Sequence, residues 1–550
     1  MPEKRRIIII GIDGADPFLV EFFCKQGHLP TFEKIMKRGV FGRLRTVIPP
    51  LSPIAWTSFS TGVNPGKHGI FGFYKLLFSH KGFVIKPVST HDVKSIYLWQ
   101  LLSKYGMRTI VFGLPLTYPP RKFNGILVPG ILAPPDFKTW PPNFKLTLLK
   151  HYTHFRLYPD IWFEEGFETL YLQELFNLLK LHIEVCEYLL MNFEYDLFIG
   201  VLYYLDQIQH FYWRFFDKDH ELYKENASQI LKDAILTAYK MIDKFLSKVL
   251  KMIDSNDYLI IVSDHGHTAL LREVYLNSLL EKLGLLEFHR TIGYILSHYI
   301  IQKFLSYFGK LSHKLFLSIG HLLFENKYVK KISRKIQFLR DIGCINIERT
   351  SALAVGHAIY ILDKHRRNQI YKVLKSFLSK LRDPLTGNKI ITGIYKREEI
   401  YWGPYVNYAP DIILLFQPGY SAPAPGYDFT PHSSVITLPL NKRSSEHTLD
   451  GIFMMYGSHL KVGAKNLHLN ILDIASLVLY LLGVPIPNWM DGKIPIEIFE
   501  EKSLIAQKFT VKRKEKCYIN SIIKKIRMDL KKHNHNRCKY EYTVNLKKTD

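Results

Sequence analysis

Cysteine is scarce in this chain. The 550 residues hold five, Cys24, Cys186, Cys344, Cys517 and Cys538. They are scattered, odd in number and never spaced as a CxxC pair, which excludes a disulfide scaffold and an all-cysteine zinc site and favours a reducing compartment. Acidic residues are also in short supply, 49 against 74 Lys and Arg, for a net charge of +25. Long apolar runs are missing too. Ile7–Ile10 is too short for the apolar region of a signal peptide, and Ile474–Pro485 is closer to a buried helix than to a membrane span. The default expectation is a soluble cytoplasmic protein. What remains is ordinary globular composition, 47% hydrophobic and 22% charged, which excludes a disordered chain. At this length we expect one large domain with insertions, or two to three domains.

The positive charge is concentrated. From Glu501 to Asp550 there are 15 Lys or Arg against 5 acids, so the tail alone carries +10. From Phe288 to Arg340 there are 10 Lys or Arg and one acid, Glu325, interleaved with Leu, Ile, Phe and Tyr. That segment reads as one or two basic amphipathic helices. Such a helix either packs its apolar face on a core or docks on an anionic membrane surface or acidic polymer. His533, His535 and Cys538 lie in the tail, where a basic terminus is the simpler account than a metal site.

Strands alternate with helical stretches. Arg6–Asp13, Thr109–Gly113, Tyr195–Leu202, Tyr258–Asp264, Asp411–Phe416 and Gly451–Tyr456 are short, nearly continuous apolar runs, the pattern of strands buried on both faces of a parallel sheet. Leu170–Met191 and Ala227–Ile253 read as helices. Tyr118–Pro142 is Pro-rich and predicts an irregular excursion. The fold class is α/β, a mostly parallel central sheet with helices on both faces plus a helical insertion. We assign residues 1–285 and 350–498 to the catalytic domain, 286–349 to the basic insertion and 499–550 to the tail.

Several strands end in metal-ligand residue types. Asp13 follows the first; Asp206 and His210, spaced i and i+4, follow Tyr195–Tyr204; Asp264 and His265 follow Tyr258–Ser263. On a helix the i, i+4 pair shares one face, and ligands bind at the carboxyl edge of such sheets. A mixed Asp and His set suits zinc, or manganese where carboxylates dominate. A second feature is Pro49–Phe73, where Ser52, Thr57, Ser58, Ser60 and Thr61 are all candidate nucleophiles. Ser52 stands at a helix start, just before Pro53, either as an N-cap or with its oxygen near the partial positive end where anions bind.

The ordered set of Ile-Asp-Gly with Asp13, Ser52 before "TSFSTG", Asp206-x3-His210, Asp264-His265-Gly266 and His447 ahead of "DGIFMMYG" resembles the alkaline phosphatase superfamily, specifically its type I phosphodiesterase/nucleotide pyrophosphatase branch. The resemblance covers most of residues 5–498. It implies an alkaline-phosphatase-like fold and two divalent metal ions, zinc with manganese as the alternative. Asp206, His210 and His447 would hold one ion, and Asp13, Asp264 and His265 the other. Ser52 would be the nucleophile of a phosphodiester or pyrophosphate hydrolase, forming a phosphoserine intermediate.

The chain departs from that pattern around the nucleophile. Ser52 stands where nucleotide pyrophosphatases commonly carry Thr. Ala55 stands where they carry an Asn that hydrogen-bonds a phosphoryl oxygen. No Arg follows Ser52, which favours a diester with an apolar or aromatic leaving portion and makes Trp56, Tyr203 and Tyr204 candidates for a stacking wall. The Ser-x-Pro-x-Arg signature of sulfatases is absent. Two alternatives stand beside the soluble hydrolase: a membrane-docked phosphodiesterase or phosphotransferase acting on lipid-linked or polymeric substrates through residues 288–340 and the basic tail, and a catalytically dead binding protein of the same fold.

Overall fold

The computed structural model of the chain describes residues 5–79, 82–289, 345–423, 428–439, 442–464 and 467–501. Most of the basic insertion and nearly all of the tail lie outside the described residues.

An eight-stranded sheet forms the centre. Its spatial order is Leu467–Asn470, Val40–Arg45, Asp450–Tyr456, Tyr258–Val262, Ile7–Ile12, Leu197–Leu202, Thr109–Phe112 and Gly125–Val128. Every neighbouring pair is parallel except those made by Asp450–Tyr456, which runs against both Val40–Arg45 and Tyr258–Val262. The run Ile7–Ile12 shows why continuous apolar sequence was needed. All its residues are buried: Ile8, Ile10 and Ile12 point into one core, and Ile7 and Ile9 into the other. Helices Pro17–Lys25, Glu168–Asn192, Tyr204–Phe216 and Ala234–Leu250 cover the first face, and helices Ser52–Thr61, Leu98–Ser103 and Asp473–Leu481 cover the second. A strand whose side chains alternate between two apolar layers cannot afford a polar position on either. No described helix is long and apolar enough to cross a membrane.

The structure corrects two of the sequence expectations. Asp411–Phe416 does not join the central sheet. Strand Ile412–Phe416 sits in a separate four-stranded antiparallel sheet, between Ala358–Ile361 and Ile391–Lys396, with Ala352–Val355 at its edge. Helix Arg367–Ser379 and helix Leu276–Lys282 pack with this sheet around a core of their own. A short apolar run bounded by turns reads the same in a parallel and an antiparallel setting. The Pro-rich stretch is not wholly irregular either. The prolines flank Gly125–Val128, which forms the edge strand of the large sheet, the location where neighbouring prolines do least harm.

Candidate metal centre and nucleophile

The reversed strand explains how distant residues meet. Asp13, Tyr203 to Asp206 and Asp264–His265 follow the carboxyl ends of three parallel strands. His447 precedes the amino end of the antiparallel Asp450–Tyr456, and the amino end of a reversed strand lies at the same sheet edge. Ser52 reaches that edge through the loop after Val40–Arg45. Gly14, at φ +75°, turns the chain just past Asp13; a Cβ there would stand 2.8 Å from the His267 ring. This backbone conformation and this close approach both favour glycine.

Ser52 occupies the first position of helix Ser52–Thr61, not the cap. Leu51 is the N-cap residue and contributes no side-chain cap bond. The Ser52 Oγ is therefore free to face the sheet edge, 3.2 Å from His265 Nε2 and 3.5 Å from Asp13 Oδ1. Asp13 is itself held by the indole of Trp56, whose Nε1–H donates to Asp13 Oδ2 at 2.8 Å.

The structure brings all six sequence-predicted metal residues together. Asp13, Asp264 and His265 each offer an atom within 4.8 Å of the others. His210 Nε2 lies 2.9 Å from His447 Nε2 and 3.4 Å from Asp206 Oδ1, and His447 Nε2 lies 3.3 Å from the same oxygen. The three histidines share one device. His210 Nδ1 faces the Ser445 carbonyl at 2.9 Å, His447 Nδ1 that of Pro50 at 2.8 Å, and His265 Nδ1 that of Gly266 at 3.2 Å. A carbonyl only accepts, so each Nδ1 carries the proton and each Nε2 turns a lone pair toward the cluster, the arrangement in which histidine binds a metal.

Charge gives an independent test of whether a cation fits. Asp13, Asp206 and Asp264 are almost fully buried. Burial, and then mutual repulsion, pushes Asp13 and Asp264 well above the usual carboxylate range. Asp264 Oδ2 is buried with no hydrogen-bond donor. Burial also acts to raise Asp206, but His210, His267 and His447 outweigh it and hold that carboxylate well below its ordinary value. Burial acts to lower His447; Glu446 and Asp206 outweigh it, so that its pKa stands at about 9. Two Nε2 atoms 2.9 Å apart need positive charge between or beside them, either that proton or a metal cation. Three converging carboxylates and three aligned Nε2 lone pairs fit divalent ions with mixed O and N ligands.

Sequence reasoning missed His267. It is fully enclosed, on strand Gly266–Ala269, directly opposite His447 on Ser445–Thr448. Its Nε2 meets Asp206 Oδ1 at 2.9 Å and its Nδ1 meets Ser445 Oγ at 2.9 Å. Its donor atom also lies within 4.8 Å of those of Asp206, His265 and His447. Unlike the other three it has no backbone carbonyl on Nδ1. With the Ser445 hydroxyl donating to Nδ1, Nε2–H donates to Asp206, so His267 orients a ligand better than it serves as one. The available signal was the His-Gly-His spacing, since residues two apart on a strand share a face.

The candidate stacking residues separate. Trp56 and Tyr204 are 0% and 1% exposed. Tyr204 meets His182 in the core, its hydroxyl 3.1 Å from Nε2. Gly11 leaves the room that the Trp56 ring fills, for a Cβ there would lie 2.6 Å from the indole. Tyr203 alone of the three is partly exposed, and its hydroxyl accepts from Gln207 Nε2 at 2.7 Å.

No curated protein sequence matches the chain. In fold the chain is similar to phosphonoacetate hydrolase from Sinorhizobium meliloti 1021, at 13% identity, covering 87% of this chain and 96% of that one with a TM-score of 0.50. Murine and human ectonucleotide pyrophosphatase/phosphodiesterase 5 also align. The murine protein is 13% identical over 87% of this chain and 95% of its own, with a TM-score of 0.45. The human protein is 12% identical over 90% and 98%, with a TM-score of 0.46. Residues 7–428 match the family description "Type I phosphodiesterase / nucleotide pyrophosphatase", a span that includes Asp13, Ser52, Asp206, His210, Asp264 and His265 and stops short of His447. The chain belongs to the type I phosphodiesterase/nucleotide pyrophosphatase family, an alkaline-phosphatase-like group of phosphoric ester hydrolases.

Proposed function

We propose that this protein hydrolyses phosphodiester or pyrophosphate bonds with Ser52 as nucleophile. The observation that carries this is the placement of the Ser52 Oγ at the start of a buried helix, within 3.5 Å of both Asp13 and His265. In this reading Asp13, Asp264 and His265 hold one divalent cation and Asp206, His210 and His447 the other, with zinc favoured by the three imidazoles and manganese as the alternative. Bound there, the ions supply Lewis acidity that lowers the pKa of a nearby hydroxyl and neutralises charge on the transferring phosphoryl group.

The chain's own residues do the rest. The first turn of helix Ser52–Thr61 directs its partial positive end at the phosphoryl oxygens. Pro53 contributes no N–H there, and Ile54 and Ala55 donate to the Leu51 carbonyl. The Ser52 Oγ forms a bond to phosphorus as the bond to the leaving alcohol or phosphate breaks, giving phosphoserine. Water then attacks phosphorus and returns the serine hydroxyl. Trp56 holds Asp13 in place throughout, and Tyr203, at the carboxyl edge beside Asp206, is the aromatic residue available to touch substrate.

The test pairs elemental analysis with hydrolysis of bis-p-nitrophenyl phosphate. About two zinc or manganese per chain and turnover abolished by Ser52→Ala is the expected result. Turnover unaffected by Ser52→Ala would sink the mechanism.

A second reading places the same chemistry at a membrane. The basic segment leaves and re-enters the fold at one point, since Phe288 and Ile345 form an antiparallel bridge and Asn346 N–H donates to the Glu287 carbonyl at 2.8 Å. Removing residues 290–344 with a short linker therefore spares the described fold. Cosedimentation with phosphatidylserine vesicles at low salt, lost on that deletion, would support docking; no binding by the full chain would exclude it.

A further inference from the structure

The smaller sheet borders a cavity for which the hydrolytic reading has no use. It has a volume of about 260 Å³ and lies at the edge where Ala358–Ile361 and Ile391–Lys396 end and Ile412–Phe416 begins, beside the start of helix Arg367–Ser379. Arg367, Asn368, Tyr371, Lys396, Glu398 and Asp411 line it, and no residue of the metal centre does. A larger cavity, of about 560 Å³, lies at Arg6, but there the arginine is held by Asp254 at 2.9 Å and Asp257 at 2.5 Å, and Glu194 adds a further acid to the lining.

In the smaller cavity the acids are already committed. Asp411 is 3% exposed and accepts from the Ile361 N–H at 2.8 Å, Arg367 Nε at 2.6 Å and Lys364 Nζ at 3.3 Å. Glu398 accepts from Arg367 Nη2 at 3.1 Å and Arg397 Nε at 2.9 Å. What is left over donates. Arg367 Nη1 bonds no described group. Among the described residues Lys396 pairs with no carboxylate, and its Nζ stands 4.5 Å from the centroid of the Tyr371 ring. Tyr371 is 9% exposed, and its hydroxyl meets no partner. Arg366 gives helix Arg367–Ser379 no side-chain cap, so the first N–H groups of that helix keep the free hydrogens of an uncapped start. Counting Glu399, which accepts from the Lys396 N–H at 2.8 Å, three acids face the four bases Lys364, Arg367, Lys396 and Arg397. A positive charge is in excess there, beside the partial positive end of a helix.

We propose that this cavity is a second anion site, separate from the catalytic centre, which holds a phosphate group, free or as a small monoester, between Lys396, Arg367 Nη1 and the first turn of helix Arg367–Ser379. An ammonium, a guanidinium edge and an uncapped helix start are the donors that suit phosphate oxygens. The volume falls below that of sites for drug-sized ligands, which leaves room for a small ester and none for a dinucleotide. Hydrolysis of a diester releases a group of this class, but the binding does not depend on that reading.

The test is calorimetric titration of the full metal-loaded chain with inorganic phosphate, glycerol 3-phosphate and acetate. Phosphate should bind both at the metals and at this cavity. Lys396→Glu should weaken the second of these roughly tenfold and leave hydrolysis of bis-p-nitrophenyl phosphate within about twofold. Asn368→Asp should give the same loss, since its carboxylate would stand at the cavity. An acid in the first turn favours a helix, so this variant decides the matter if Lys396→Glu fails to fold. If the metals bind no phosphate and the hydrolytic reading fails, the remaining binding should still be lost on Lys396→Glu, which keeps the two ideas apart. Tighter binding of glycerol 3-phosphate than of phosphate assigns the site to monoesters, and the reverse order assigns it to free phosphate. Phosphate binding unchanged by Lys396→Glu, acetate bound as tightly as phosphate, or a matching loss of hydrolysis would overturn the proposal.

Discussion

Replacing His267 by Asn would test whether it positions a ligand or is one. Two bonds are at stake, Nε2 to Asp206 Oδ1 and Nδ1 to Ser445 Oγ, each 2.9 Å. Asp206 Oδ1 also faces His210 at 3.4 Å and His447 at 3.3 Å, so this carboxylate is the hub of its cluster and His267 its shortest tether. Loss of a partner that orients a metal ligand typically costs 10- to 100-fold in metal affinity, about 1.4 to 2.7 kcal/mol. We expect His267→Asn to keep about two metals per chain at saturation while releasing one of them to a chelator at 10- to 100-fold lower concentration. Metal content by elemental analysis and competition with a chromogenic chelator measure the two quantities separately. A stoichiometry that falls by one at saturating metal would show that His267 is a ligand. An unchanged affinity would show that Asp206 is held by something other than the bond described.

Two further outcomes follow from groups outside the site. Asp491 accepts from Asn64 N–H at 2.9 Å, Asn64 Nδ2 at 3.0 Å, Lys67 Nζ at 2.5 Å and Trp402 Nε1 at 3.0 Å; Asp491→Ala should therefore lower stability by about 3 kcal/mol, read as a drop in Tm, with metal content unchanged. His68 and His182 are buried, and desolvation lowers their pKa values to about 3 and about 4; their neutral forms stabilise the fold fully above the unfolded histidine value near 6.5, and that contribution is lost as pH falls toward the folded values. Denaturant unfolding should thus show stability declining from about pH 6.5 to 4, by roughly 3 kcal/mol for His182, and a flat profile over that interval would refute the assignment.

Much of this was legible in the sequence because the central strands are buried on both faces and so leave little choice of residue. Ile7–Ile12 and Tyr258–Val262 could hardly be anything else. The site was legible where its residues follow such strands, as Asp13 and Asp264 do. Legibility failed where a residue's neighbours are remote in sequence. Trp56 reads as a candidate stacking residue until Gly11 is seen to make room for it and Asp13 to accept from it. The Asn-Pro-Gly-Lys-His-Gly run gives no sign of its partners: Asn64 and Lys67 bond Asp491, more than 400 positions away, and His68 bonds Ser58 at 3.0 Å. Strand Ile412–Phe416 was assigned to the wrong sheet because its composition carries no record of strand direction.

The position of Asp450–Tyr456 bears on the order in which the enzyme is completed. This strand lies between Val40–Arg45 and Tyr258–Val262, and the other neighbour of Val40–Arg45 is Leu467–Asn470. The strand that leads to Ser52 therefore has no sheet partner until the last fifth of the chain has been made. Pairings of such sequence separation carry a large loop-closure cost and are slow to form. Ser52, the proposed nucleophile, and His447, a proposed ligand, thus both depend on the last strands of the sheet, and a chain whose synthesis stops before residue 447 lacks both His447 and the sheet partners of the strand that leads to Ser52. On the proposed mechanism such a fragment has no complete site, so that catalytic competence and the completed sheet arrive together.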